Sequence, residues 1–149
     1  MHYTTDKGDI GVAEISADIM KRGVDVLRPL SASLPFDLVA YKGGRFYKIQ
    51  VKYREEATTP RGQSTGFIEF AMTRAVIGGG KVAKRRVLPH EVDVFAIYCP
   101  TTDGCYYLSQ AEVARITTVT LRTTPSKNNQ KRGVRMAVEY TDPLRVLRT

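Results

Sequence analysis

Two apolar, β-prone runs, residues 35–41 and 46–53, flank Lys42-Gly43-Gly44, and this arrangement leaves the chain little choice but a hairpin. Gly-Gly supplies a two-residue turn, so the runs predict a pair of antiparallel strands. Side chains alternate along a strand, which places Lys48, Gln50 and Lys52 on one face and Tyr47, Ile49, Val51 and Tyr53 on the other. A strand with two lysines and an amide on one face needs an anionic partner there, and Asp37, opening the preceding strand, is the nearest acid. An acid, an amide oxygen and a lysine converging on one hairpin form a group able to hold a divalent metal against a phosphate.

Around this hairpin the chain reads as alternating helix and strand. Residues 6–22 predict a helix with Asp6 as N-cap and Gly23 as the stop. Ile10, Ala13, Ala17 and Met20 form one apolar stripe and Val12, Ile15 and Ile19 a second, which predicts packing on two sides. Strands are expected at 24–28, 67–73, 92–99, 105–108, 117–122 and 136–140. Ser109 with Glu112 predicts a capping box on a short helix. Residues 54–66, 74–91 and 123–133 read as polar or basic loops. Gly80-Lys81 lacks the rest of a phosphate-binding loop, because Val82 follows the lysine. The whole is one α/β (α+β) domain, 1–149, with a mixed sheet flanked by helices.

The charge balance narrows the partner. Twenty-three Lys and Arg against 15 Asp and Glu give a net charge of +8, which favours a polyanion. No apolar run approaches the roughly 20 residues of a membrane span, and the N-terminus lacks the basic and apolar regions of a signal peptide. A cytoplasmic protein bound to nucleic acid, with no membrane partner, is the expectation. Cys99 and Cys105, with His2 and His90 far away in sequence, offer too few ligands for zinc.

Pro35-Phe36-Asp37 followed by Ile49-Gln50-Val51-Lys52 resembles the PD…(D/E)xK signature of the restriction-endonuclease-like nucleases. The helix carrying Glu14, the strand at 92–99 and the segment Lys127-Asn128-Asn129-Gln130-Lys131 extend that likeness. Together they resemble the small group I intron homing endonucleases of cyanobacterial tRNA introns. Gln50 departs from the Asp or Glu usual at that position; an amide oxygen still ligates a hard cation but brings no charge. The intron-endonuclease family is similar in tolerating Gln there, and Glu14 is the carboxylate available to make up the difference.

The resemblance implies Mg²⁺-dependent (or Mn²⁺-dependent) hydrolysis of phosphodiester bonds at a long double-stranded DNA site. Asp37, Gln50, the Val51 carbonyl and Glu14 would hold the metal, and Lys52 would act on the attacking water. A double-strand break requires at least two subunits, and the resemblance implies a homotetramer, a dimer of dimers. Candidate DNA contacts are Lys48, Arg61, Arg74, Lys81, Lys84, Arg85, Arg86, Lys127, Asn128, Asn129, Lys131 and Arg132. Two rivals stand beside this: a Holliday-junction resolvase on the same core, and a catalytically silent nucleic-acid-binding module.

Overall fold

The structure, a computed structural model, describes residues 3–125, 128 and 132–148. Lys127, Asn129 and Lys131 lie outside the described residues. The first helix, α1, spans Tyr3–Lys21, so Asp6 sits in its first turn and is not the N-cap; there its charge still meets the positive end of the helix dipole. Gly23 ends the helix at φ +77°, its N–H bonded to the Met20 carbonyl at 2.9 Å.

Of the two expected apolar stripes only Val12, Ile15 and Ile19 are buried, while Ile10 and Met20 are exposed. The correction is geometric, since the helix lies against a single sheet and has only one side to bury. Gly11 brings it close: a Cβ there would stand 3.4 Å from Val51 Cγ1 and 3.5 Å from Tyr53 Cβ.

The strands are β1 Asp25–Leu27, β2 Leu38–Lys42, β3 Arg45–Tyr53, β4 Phe67–Ala71, β5 Thr73–Gly78, β6 Lys81–Arg86, β7 Val94–Cys99, β8 Gly104–Ser109 and β9 Thr118–Arg122. The central sheet runs β1-β2-β3-β7-β8. It is mixed: β3 and β7 are parallel, with Gln50 opposite Phe95 and Lys52 opposite Ile97, and its other pairs are antiparallel. Gly43 and Gly44, at φ 59° and 79°, close the β2–β3 hairpin with Lys42 opposite Arg45.

Two cores sandwich β3. Val12, Ile15, Ile19, Tyr47 and Ile49 form the first with Leu147 from the C-terminal segment. On the opposite side Phe95, Ile97 and Leu108 meet Ile68, Phe70, Val119 and Leu121 of the β4–β9 ladder. A short helix, α2 (Gln110–Val113), starts at the expected capping box.

Two further expectations fail. Residues 74–91, read as a basic loop, hold the β5–β6 hairpin, because Gly79 and Gly80 at φ 59° and 75° make the same tight turn as Gly43 and Gly44. Residues 136–140 are not a strand. Met136 makes one bridge to Arg122, and Ala137–Tyr140 then form a 3-10 turn that buries Ala137 in the second core.

Candidate active site

The hairpin fixes Asp37 at both ends. Its N–H donates to the Ile49 carbonyl at 2.9 Å, and its carboxylate accepts the Val51 N–H at 2.8 Å. Burial pushes its pKa up, against the Val51 amide, Lys52 and Arg28, which favour the anion. Between Ile49 and Val51, the Gln50 Nε2 donates to the Pro35 carbonyl at 3.4 Å. That bond turns the amide so that Oε1 is buried with no partner. Lys52 is 8% exposed and donates to the Thr73 carbonyl at 3.1 Å. Burial, helped by Arg54, lowers its pKa to about 8, while Asp37 pulls the other way. All three side chains line one cleft of about 600 Å³ together with Pro35, Thr73 and Arg74.

Among the described residues no three His, Cys, Asp or Glu side chains converge on a metal position. The cleft offers another donor set. A buried acceptor without a partner costs roughly 1–3 kcal/mol, and the Gln50 Oε1 is such an acceptor on a side chain that lines the cleft with Asp37. Two oxygen donors of this kind suit a hard divalent cation.

Asp37 and Val51 also line a second cavity, of about 340 Å³, whose wall includes Gly8, Asp9, Val12 and Arg28. Asp9 and Arg28 escaped the sequence reading. For Asp9 a signal exists: it precedes Val12 by three residues, so helical periodicity places it at the edge of the buried stripe. Glu14 is two residues past Val12, about 200° around the axis. It is exposed and lines neither cavity; it stands near Tyr98 and Cys105, whose pKa values burial chiefly raises, with a smaller contribution from the Glu14 charge. The helix therefore brings Asp9 to Asp37, and leaves Glu14 elsewhere.

Several of the candidate DNA contacts are engaged within the fold. Lys48 donates to the His90 carbonyl. Arg85 is paired with Glu91, Arg74 stands 3.8 Å from the same carboxylate and donates to the Ser33 carbonyl at 3.2 Å, and the Leu88 N–H reaches Glu91 at 3.0 Å. These contacts, Arg85 foremost, hold the Glu91 pKa down to about 2. Arg86 donates to the Ala114 carbonyl at the end of α2. Arg61, Lys81, Lys84, Asn128 and Arg132 are exposed.

A family model for the PD-(D/E)XK endonucleases matches residues 2–143. The chain belongs to the PD-(D/E)XK endonuclease family. Nucleases of this PD-(D/E)XK family generally use divalent metal ions. Among solved structures, a bacterial homing endonuclease, I-Ssp6803I, shares its fold: the TM-score is 0.75 at 21% identity, covering 97% of this chain and 92% of that one. The Holliday junction resolvase Hjc of Archaeoglobus fulgidus aligns at a TM-score of 0.47 and 14% identity, over 78% and 84% of the two chains. No curated protein matches the chain in sequence.

Proposed function

We propose that this PD-(D/E)XK protein is a site-specific endonuclease that makes a metal-dependent double-strand break at a long DNA target, in the manner of intron homing. One observation carries the reading: the Asp37 carboxylate, the unpartnered Gln50 Oε1 and a Lys52 amine with its pKa lowered to about 8 line a single cleft. Asp37, Gln50 and the Val51 carbonyl would hold Mg²⁺ or Mn²⁺. Asp9, in place of the expected Glu14, is the helix carboxylate on the same side. A divalent cation there supplies charge stabilisation at the phosphoryl oxygens and acidifies water.

The chain's own residues do the rest. At pH 7 a pKa of about 8 leaves roughly one Lys52 in ten neutral, and that amine can take the proton of the attacking water at Nζ. As an ammonium it then offsets the charge that develops on the phosphate. Arg28, across Asp37 in the second cavity, is placed for the neighbouring phosphate of the same strand. The products are a 5′-phosphate and a 3′-hydroxyl. One such site cuts one strand, so the active species is at least a dimer, and a dimer of dimers fits a long target.

Cleavage of a pooled duplex library containing an intron-less tRNA gene, in Mg²⁺ and in EDTA, tests this. Wild type should cut one long site only with metal, and Asp37→Ala and Lys52→Ala should not cut. Cutting confined to four-way junctions would replace the reading with a resolvase. Binding with no scission of either substrate would replace it with a silent DNA-binding module. Sedimentation with the cut duplex should give a dimer or larger.

A further inference from the structure

The β5–β6 hairpin is a two-faced ribbon. Cross-strand partners share a face, so Arg74, Arg85 and Val76 lie on one and Ala75, Lys84, Ile77 and Val82 on the other. The first face leans on the body through Glu91 and Ser33. The second is open. Ile77 is 79% exposed, Val82, directly opposite, is 71% exposed, and Ala75 and Lys84 are exposed beside them.

Three observations identify what this open face meets. All of β5 from Thr73 to Ile77, the open-face Ala75 and Ile77 included, lines the same cleft as Asp37 and Lys52, so a strand cut there passes along the ribbon. Residues 73–86 include Arg74, Lys81, Lys84, Arg85 and Arg86 and no acid, which suits a polyanion and disfavours a second copy of this basic chain. A strand of this length spans about 17–20 Å, and the major groove, about 12 Å wide, admits a two-stranded ribbon. Ala, Ile and Val side chains form no hydrogen bonds, and the apolar group that base edges present in that groove is the thymine methyl.

We propose that the β5–β6 ribbon is the sequence-reading element of the enzyme, with Ala75, Ile77 and Val82 packed on thymine methyls in the major groove. Lys84, on this face, and Lys81, at the turn opposite Gly78 on the other, take phosphates. The inference rests on the DNA-cleaving reading above and names the part of the molecule that chooses the site.

The test is a binding selection on a random duplex pool, with wild type, an Ile77→Ser/Val82→Ser variant and Ile77→Gln, followed by uracil-for-thymine replacement in the selected site. Wild type should select adjacent thymines, and each contacted methyl removed should weaken binding about fourfold. The double-serine variant, melting with the wild type, should lose that preference and ignore uracil. Ile77→Gln should shift one position towards adenine, whose edge a Gln side chain matches. An unchanged selected sequence in both variants would overturn the proposal. So would a drop in oligomeric state with serine at both positions, which would make the face an interface between copies. Metal-dependent cutting by wild type, read separately, keeps the two readings distinguishable: absent cutting overturns the nuclease, and unchanged base preference overturns only the ribbon's role.

Discussion

The two hairpins share a turn and little else. Gly43-Gly44 and Gly79-Gly80 adopt nearly the same positive φ angles, yet β2–β3 is enclosed by two cores and β5–β6 stands out from the body. Turn chemistry decides that each chain segment reverses; the residues on either side decide where the hairpin goes. In β3 the alternation gives Tyr47 and Ile49 to one core and forces Gln50 and Lys52 into partial desolvation on the other side. In β5 and β6 the alternation yields one anchored face and one open one. Burial sets the first hairpin apart, because it lowers the Lys52 pKa to about 8. Exposure leaves the second free to touch a partner.

Four experiments probe this contrast. Lys52→Met should lower kcat by about 10²–10⁴-fold, the usual worth of a positioned acid or base, and yet raise stability near pH 7 by roughly 2 kcal/mol. The folded-state pKa lies below that of the unfolded chain, so between about 8 and 10.5 the unfolded state holds the extra proton. Wild-type stability therefore rises with pH across that window, and denaturant melts of the Met variant should lack the rise. Next in size is the same substitution made in each hairpin. Ile49→Ala, at 0% exposure, should cost about 2–5 kcal/mol, whereas Ile77→Ala should cost less than about 0.5 kcal/mol. Equal costs would mean that the ribbon is packed in solution.

The pH profile is third. If neutral Lys52 is the base, kcat/KM should climb about tenfold per pH unit and flatten above about 8; a profile flat from pH 6 to 9 would remove that role. The smallest effect belongs to Lys81→Ala, which should reduce the slope of log affinity against log salt on any duplex by about 1. An unchanged slope would take Lys81 off the phosphates.

The contrast also explains what could be read from the sequence. The first hairpin is legible because β-prone alternation surrounds its glycines, and the spacing of Asp37, Gln50 and Lys52 places the chemistry on it. The second is not, since Gly78-Gly79-Gly80 among lysines and arginines has the composition of a loop, and only the pairing of Ile77 with Val82 reveals a ladder. The parallel β3–β7 pairing joins segments with some forty residues between them and leaves no local mark. Thr73 meets Lys52 through a backbone carbonyl, which any residue would supply. Arg28 enters only because the loop after β1 folds back over Asp37. Glu14 and Asp9 show the opposite case, in which helical periodicity, applied to the acids as well as to the apolar stripe, distinguishes the two.

Glu91 grips Arg85 and stands beside Arg74 near the base of the ribbon, and beyond Ile77 the turn and the start of β6 are exposed and line neither cavity at Asp37. Changes at residues 78–83 can accumulate, or be engineered, away from the cleft that holds Asp37, Gln50 and Lys52. In the proposed enzyme this arrangement would separate the address from the blade. A lineage of such chains could move from one genomic site to another by rewriting a few ribbon residues, each step leaving a folded and competent nuclease.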